Sequence, residues 1–314
     1  MEPSAARSTE QLSGGSGRRG RRTSVVLVVV ALAVVLALST VVPATASHVD
    51  DHIVNPSIVF YKPTSNTTGV ALFGTLDEGV LTRMGRLRTG RWTHAAISHD
   101  TLLFYSSASG EGITGTLWDG RFTRHGTFKV AAGFNRIAAS CDSVLFYNKN
   151  TGAGRIGLLD GGWLSRTRNI SFLNGMDHVS SSCDTIVLIR NERPGTSGFF
   201  VSGLLENGGY TETAFEPQSS RYTRITNTAD SYIWYDRPTG SGIWGRAQDG
   251  SSSVPTASSD TFGSWTHVAG TGNSVLFYNS ASGVAAPVIL EDGVYSSVGT
   301  TELAEGWKII VGAR

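Results

Sequence analysis

Six basic side chains recur along the chain, each one or two positions after an aromatic residue or Met. The basic residues are His94, Arg136, His178, Arg224, His267 and Lys308. The preceding residues are Trp92, Phe134, Met176, Tyr222, Trp265 and Trp307, at intervals of 42, 42, 46, 43 and 42. Aromatic faces stack on sugar rings, while Arg, His and Lys donate hydrogen bonds. The pattern predicts a surface that binds an anionic or hydroxyl-rich ligand, more strongly as the pH falls toward about 6 and His becomes charged.

The same residues also have a purely structural interpretation. Large aromatic side chains would fill the space between repeats, and the basic groups would hydrogen-bond to loop carbonyls. We predict ligand binding and leave the structural interpretation open at each position. The predicted ligand-binding residues are Trp92, His94, Arg136, His178, Tyr222, Arg224, Trp265, His267, Trp307 and Lys308.

A second marker shares this period. Apolar pairs occur at intervals of 44, 42, 42, 46 and 43 residues. The pairs are Phe60-Tyr61, Phe104-Tyr105, Phe146-Tyr147, Leu188-Ile189, Trp234-Tyr235 and Phe277-Tyr278. All of them except Leu188-Ile189 lie in an apolar, aromatic stretch typical of a buried strand. Two independent markers with one period indicate a structural repeat.

Each repeat predicts four short strands. In the second repeat these are Trp92 to Ile97, Leu102 to Tyr105, Ile113 to Trp118 and Phe122 to Phe128, with a hairpin turn at Asp119-Gly120. Equivalent turns are predicted at Glu78-Gly79, Asp160-Gly161, Asn207-Gly208, Asp249-Gly250 and Asp292-Gly293. Four antiparallel strands per 42 to 46 residues match one blade of a β-propeller. We therefore predict an all-β, six-bladed propeller of four-stranded blades.

The two ends of the repeat region predict how the ring closes. The last marker begins a strand from Trp307 to Gly312, whereas the first unit, Ser57 to Tyr61, lacks the strand that should precede it. Pairing these two segments would complete blade 1 and leave no open edge. The C-terminal strand is therefore predicted to pair with the N-terminal blade.

The segment before residue 47 has the order of an export signal. We predict a basic, disordered region over residues 1–24, and an apolar segment with a cleavage site over residues 25–46, ending in Ala44-Thr45-Ala46. An uncleaved anchor through residues 25–42 is the alternative, since this predominantly apolar stretch of 18 residues just reaches the spanning range. Either way residues 47–314, the propeller, are predicted to lie outside the cytoplasm, secreted or in the cell envelope.

Net charge limits the kinds of partner, and the two cysteines predict a disulfide. Residues 47–314 carry 21 Lys and Arg against 23 Asp and Glu, so no basic field for nucleic acid is present. We expect a monomer whose partner is a carbohydrate or an extracellular protein.

Cys141 and Cys183 occupy equivalent turns of adjacent repeats, which permits the Cα separation of a disulfide. A bridge is predicted in preference to two free thiols.

Catalytic and metal-binding motifs are nearly absent. The sequence contains no G-x-S-x-G, H-E-x-x-H or P-loop motif, so no catalytic residue, cofactor or metal site is predicted. The repeated pairs Asp100-Thr101, Asp142-Ser143, Asp184-Thr185 and Asp230-Ser231 are interpreted as Asx-turns in preference to calcium ligands. The cluster His48-Val49-Asp50-Asp51-His52 is interpreted as a solvated terminus in preference to a metal chelator.

Four short motifs stand out in the repeats: Trp92-Thr93-His94, Leu103-Phe104-Tyr105, Thr151-Gly152-Ala153-Gly154 and Asp160-Gly161. They resemble the repeats of exported bacterial propellers related to the tachylectin-like lectins. The resemblance covers residues 55–314 and implies a carbohydrate-binding module. The tachylectin propeller itself has five blades, and its sugar-contacting residues do not map onto this chain. Six blades also suit the fungal fucose lectins, whose motif differs.

Fold alone does not give function, so two alternatives stay open. They are a protein-interaction scaffold without a sugar site, and a propeller hydrolase or lyase whose acid and base come from scattered Asp and Glu residues.

Overall fold

A computed structural model describes residues 55–194, 197–218, 220–252, 257–259 and 262–313. The strands form six antiparallel sheets, one per blade. Blade 1 contains β1 (Ser57–Pro63), β2 (Thr68–Asp77), β3 (Val80–Gly90) and β26 (Ile309–Gly312). Blade 2 contains β4 (His94–Ile97), β5 (Thr101–Tyr105), β6 (Glu111–Trp118) and β7 (Arg121–Lys129). Blade 3 contains β8 (Arg136–Ala139), β9 (Ser143–Tyr147), β10 (Ala153–Asp160) and β11 (Trp163–Ser171).

The other three blades follow the same order from the inner strand outward. Blade 4 contains β12 (His178–Ser181), β13 (Thr185–Arg190), β14 (Gly198–Glu206) and β15 (Gly209–Gln218). Blade 5 contains β16 (Arg224–Asn227), β17 (Ser231–Asp236), β18 (Ser241–Gln248), β19 (Ser251–Ser252) and β20 (Ala257–Ser259). Blade 6 contains β21 (His267–Gly270), β22 (Ser274–Tyr278), β23 (Val284–Glu291), β24 (Val294–Ser297) and β25 (Thr301–Glu302). In blades 5 and 6 the outermost position is shared by two short strands.

The predicted six-bladed β-propeller is therefore confirmed. The innermost strands β4, β8, β12, β16, β21 and β26 contact one another in cyclic order around a central channel. The channel has a volume of about 130 Å³ and is lined by small and aliphatic residues such as Ala96, Ala139, Thr226 and Gly312. This narrow bore is much smaller than an ordinary ligand cavity.

The apolar pairs lie in the second strands of the blades. All five residues of β5 are buried, because this strand is covered by a neighbouring blade on each face. Successive side chains of a strand point to opposite faces. Phe104 therefore packs with Tyr61 of blade 1, whereas Tyr105 packs with Phe146 of blade 3. One aromatic pair supplies packing to both interblade cores, which explains its recurrence.

The hairpins between third and fourth strands use the predicted turns, with one shift. Asp119 and Gly120 have φ angles of 47° and 68°, the left-handed values that a two-residue primed turn requires. In blade 3 the turn residues are Gly161 and Gly162, with φ of 57° and 86°. Asp160 instead ends β10 and pairs with Trp163. The predicted turn at Asp160-Gly161 is wrong by one residue, because a second glycine follows.

The repeated Asp-Ser/Thr pairs of blades 2 to 5 join each of these blades to the next. Asp142 Oδ2 accepts a hydrogen bond from Asn207 N at 2.8 Å, and Ser143 Oγ accepts one from Gly208 N at 2.8 Å. We call this pair of contacts the hairpin clasp. It recurs at Asp100-Thr101, Asp184-Thr185, Asp230-Ser231 and Asn273-Ser274, each with the hairpin turn of the following blade.

The Asx-turn interpretation of Asp100, Asp142, Asp184 and Asp230 needs correction. The turn before β5 is closed by Ser98, whose Oγ accepts a hydrogen bond from Thr101 N at 3.2 Å. The carboxylate of Asp100 accepts its backbone hydrogen bonds from Gly161 of the next blade. Sequence reasoning identified a local polar turn but missed a partner about 60 residues away.

Ring closure occurs as predicted. β26 pairs antiparallel with β1, with Ile58 opposite Gly312 and Tyr61 opposite Ile309. Trp307 precedes the strand and packs its ring 5.8 Å from that of Phe60. The C-terminal strand therefore supplies the inner strand of blade 1.

A disulfide joins Cys141 and Cys183, with a Cα separation of 4.5 Å. Cys141 N also donates a hydrogen bond to Cys183 O at 2.7 Å, so backbone and side chain both link the turns of blades 3 and 4. The bridge agrees with a location in an oxidising compartment. It has a structural position, at the end of the inner strands, as the sequence predicted.

The predicted export segment over residues 1–46 and the cluster His48 to His52 lie outside the described residues. Within the described ranges, no helix is long and apolar enough to cross a bilayer. In the same ranges, no three His, Cys, Asp or Glu side chains are grouped so as to hold a metal ion.

Candidate binding surface on the ring face

The loop that precedes each inner strand and the loop between the second and third strands lie on one face of the propeller. Thr93 Oγ1 accepts a hydrogen bond from Ser107 N at 2.8 Å, which ties the two loops of blade 2 together. The same contact uses Asn135, Asp177, Thr223 and Thr266 in blades 3 to 6. We call this surface the ring face.

The tyrosines of the apolar pairs brace the ring face. Tyr61 Oη accepts a hydrogen bond from Trp92 N at 2.8 Å and donates one to Gly90 O at 3.0 Å. Blade 4 has Ile189 at the equivalent position and therefore lacks this hydroxyl. Asn191 replaces it, since its Nδ2 donates to Tyr222 O at 2.7 Å and its Oδ1 accepts from Tyr222 N at 3.0 Å.

The six basic residues surround the inner mouth of the ring face, and most of them contact the next blade. Arg136 Nε donates to Asp177 O at 2.6 Å, and Arg224 Nε donates to Thr266 O at 2.8 Å. His267 Nε2 lies 3.2 Å from Lys308 O. These contacts support the structural interpretation of the ring without using all of its hydrogen-bond donors, because a guanidinium has five N–H groups.

The aromatic members of the predicted site lie largely inside the interblade cores. Tyr222 and Trp307 are buried, and Trp92 and Trp265 are half-buried. Trp92 stacks on Phe104, and its indole Nε1 donates to Thr89 Oγ1 at 2.9 Å. Ligand stacking on these four rings stays a prediction, and their packing gives each of them a structural role.

Burial lowers the pKa of all three histidines of the ring. Desolvation is the largest cause for His94, His178 and His267, and the nearby Arg136 and Arg224 lower the pKa of His178 further, to about 4. A His with this pKa is neutral at pH 6. The expected strengthening of binding toward pH 6 therefore needs correction for His178, because loss of hydration disfavours its charged imidazole.

We expect His178 to make folding pH-dependent below pH 6.5. Its pKa is about 4 in the folded protein and 6.5 ordinarily, so the unfolded chain binds the proton more tightly. Its contribution is complete above pH 6.5 and is lost as the pH falls toward 4, by about 3 kcal/mol. Urea unfolding of the protein and of His178→Asn at pH 7.5 and pH 4.5 measures this difference.

The variant should lose much less stability on acidification than the parent protein. His125→Asn, a change at an exposed His on β7, is the matched control and should behave like the parent. If acidification lowered the free energy of unfolding equally in the parent and in His178→Asn, His178 would not be the cause of the pH dependence.

A pocket of about 420 Å³ opens on the ring face where blades 3, 4 and 5 meet. We call it the arginine pocket. It is lined by Arg136, Asp177, His178, Asn191, Glu192, Arg193, Pro194, Arg221, Tyr222, Thr223 and Arg224. Four of the predicted binding residues, Arg136, His178, Tyr222 and Arg224, are thus brought together. The volume is within the range of small-molecule sites.

A larger groove of about 830 Å³ lies between blades 1 and 2, along the outer strands β3 and β7, and reaches the strand ends at the ring face. We call it the rim groove. Its apolar lining includes Trp92, Ile113, Phe122 and Phe128, and its charged lining consists of Arg88, Glu111, Arg124 and Lys129. Trp92 is the one predicted binding residue in this lining.

The other predicted binding residues are spread around the rest of the ring. His94, Trp265, His267, Trp307 and Lys308 line neither the arginine pocket nor the rim groove. The side chain of Lys308 is exposed, whereas those of His94 and His267 are half-buried. The predicted binding residues therefore do not form one continuous site in the structure.

The predicted binding residues did not include Asn191, Arg193 and Arg221, or the charged residues of the rim groove. One signal for the first group was present, since the pair Leu188-Ile189 departs from the repeat and begins the longest interval, of 46 residues. No signal marked the rim groove, because it is formed by neighbouring blades whose contacts the period does not encode.

Comparisons with known proteins find similar structures but no similar family or curated protein. No protein-family model matches the sequence, and no curated protein matches it. A protein of unknown function from Desulfotomaculum acetoxidans is similar in structure, with 9% identity, 79% of this chain and 80% of that chain covered, and a TM-score of 0.53. The periplasmic gluconolactonase of Pseudomonas aeruginosa has 11% identity, 80% and 97% coverage and a TM-score of 0.48. At such identities the likeness concerns the fold alone.

Proposed function

We propose that this protein is an extracytoplasmic binding module that takes carbohydrate on the ring face of its propeller. The observation that carries the proposal is the rim groove, which combines a half-buried aromatic wall with exposed charged groups. Trp92, Phe122 and Phe128 offer apolar surface for the C–H face of a sugar ring. Arg88, Arg124 and Glu111 offer donors and acceptors for its hydroxyls.

The shape of the groove favours an extended ligand. A groove of 830 Å³ is near the upper end of small-molecule sites, which suits several linked sugar rings better than one. Gly90 and Gly112 leave room for the aromatic rings of its wall. A Cβ at Gly112 would lie 2.2 Å from the ring of Phe128, and one at Gly90 would lie 3.1 Å from the indole of Trp92.

The rim groove can be tested with variants that leave its aromatic wall in place. We expect Arg88→Gln with Arg124→Gln to weaken glycan binding roughly tenfold or more, because two hydrogen bonds from charged donors are lost. Arg86→Gln with Arg121→Gln is the matched control, since these exposed residues lie on the same two strands outside the groove lining. A glycan array selects the ligand, and titration calorimetry measures the affinity.

Free oligosaccharide should compete with the array signal. Capture of a protein partner that survives this competition would support the interaction scaffold instead. Equal affinity in the groove variant and in the control variant would remove the rim groove from the account.

A further inference from the structure

The arginine pocket coincides with a break in the repeat. In blades 1, 2, 3, 5 and 6 the second strand carries a Tyr whose hydroxyl donates to a carbonyl at the end of the outer strand or in the segment that leads to the next blade, whereas blade 4 has Ile189 and uses Asn191. Asn191 begins a loop of seven residues between β13 and β14, against four or five residues in the equivalent loops. The loop also contributes Glu192 and Arg193 to the pocket. The additional residues therefore carry charge at one place on the ring face.

The hydrogen bonds between blades 4 and 5 at Asn191 do not involve Glu192 or Arg193. Both hydrogen bonds between Asn191 and Tyr222 are present. Arg193 pairs instead with Asp177, its Nη2 lying 2.7 Å from Oδ1, and half of its side chain is exposed. The Asp177 side chain is 14% exposed, but solvent reaches Arg193 and screens the pair, so this ion pair stabilises the fold only modestly.

Several guanidinium donors in the pocket are available to a ligand. Arg136 uses Nε and Nη1 for the carbonyls of Asp177 and Asn135, and Arg224 uses the same two atoms for Thr266 and Thr223. Within the part of the chain that the structure describes, neither Nη2 has a hydrogen-bond partner. Arg221 is exposed, and its side chain makes no hydrogen bond or ion pair with the described residues.

The pocket has an excess of positive charge. Four arginines face two carboxylates, Asp177 and Glu192, and Asp177 is already engaged by Arg193 and, at 3.8 Å, by Lys149. His178 adds no charge near neutral pH, because burial lowers its pKa to about 4. The lining thus carries a net charge of about +2, counted from its ionised side chains at pH 7.

We propose that the arginine pocket binds the oxyanion group, a carboxylate or a sulfate, of an acidic carbohydrate. This inference rests on the proposed function, since it specifies the class of sugar that the ring face takes. A planar guanidinium donates two parallel hydrogen bonds to such a group, which makes arginine the preferred partner. The backbone-anchored guanidiniums of Arg136 and Arg224 are held in place before the ligand arrives, which lowers the entropic cost of binding.

The test compares acidic ligands with a neutral counterpart. The full-length protein is titrated at low salt with tetragalacturonate, with its full methyl ester, and with a sulfated galactan tetrasaccharide. The methyl ester keeps the sugar chain and removes the charge. We expect the carboxylate, the sulfate or both to bind roughly tenfold or more tightly than the ester, with affinity that falls as salt is added.

Arg221→Gln provides the matched variant, because the side chain is exposed and holds no interblade contact. It should remove most of the preference for the acid. Arg237→Gln removes the same charge from an exposed position nearby, outside the pocket lining, and should change affinity less than about twofold. A preference that survives in Arg221→Gln, or falls equally in both variants, would overturn the assignment.

The outcomes separate this inference from the proposed function. If the methyl ester binds as tightly as the acid and the rim-groove variant weakens both, carbohydrate binding stands and the arginine pocket has no part in it. If none of these oligosaccharides binds and no glycan on the array does, both proposals fail.

Discussion

A chain that ends at Ala304 should lose its cooperative thermal transition and aggregate. The truncation removes β26, Ile309–Gly312, and with it the inner strand that pairs with β1. It also removes Trp307, which is 5% exposed in the core with Phe60 and Tyr278. Loss of one buried Trp costs about 3 to 5 kcal/mol, and the unpaired edge of β1 adds to that. Because whole domains are stable by only about 5 to 15 kcal/mol, the remaining chain should not hold its fold.

Calorimetry and size-exclusion chromatography measure this result. A chain that ends at Ala313 retains all of β26 and is the matched control. If the chain ending at Ala304 melted cooperatively at the same temperature as this control, the ring would not depend on closure by β26.

Removal of the disulfide should have the second largest effect. Replacing Cys141 and Cys183 with Ala opens a loop of 42 residues, for which chain entropy predicts a loss of about 3 to 4 kcal/mol. For a chain of this size that corresponds to a fall in the melting temperature of about 10 °C. The fold should persist, since Cys141 N still donates to Cys183 O.

The unmodified protein treated with reductant serves as the comparison and should melt near the double variant. Alkylation and mass measurement before and after reduction establish that two thiols are released. An unchanged melting temperature in the Ala variant would mean that the backbone contacts alone fix the two turns.

The sequence allowed the blade count, the strand order and the ring closure to be predicted, because each rests on a local pattern repeated six times. The pair Phe104-Tyr105 lies in the continuous apolar run of a strand that is covered on both faces. Asp119-Gly120 has the residue types that adopt the positive φ of a primed turn. These features depend on neighbouring residues alone. The period then places them in equivalent positions.

The binding surface was less accessible to sequence reasoning, because its chemistry depends on partners in the next blade. The ring around Arg136 and Arg224 was predicted, with hydrogen bonds to loop carbonyls as its structural alternative, but the sequence did not identify the acceptors as Asp177 O and Thr266 O of the next blade. The pKa of His178 was expected to stay near its ordinary value, and burial between blades lowers it. The rim groove arises only when blades 1 and 2 are packed side by side.

The pairing of β26 with β1 also delays the completion of blade 1 during synthesis. Ile58 and Gly312 are joined across nearly the whole propeller, so β1 leaves the ribosome long before its partner exists. At about 5 to 20 residues per second, synthesis of the intervening chain takes roughly ten seconds to a minute. Closing so long a loop is slow, and until then the nascent blade exposes backbone groups that attract other chains. We therefore expect the newly made chain to need a chaperone or a translocation channel that keeps β1 covered until β26 arrives.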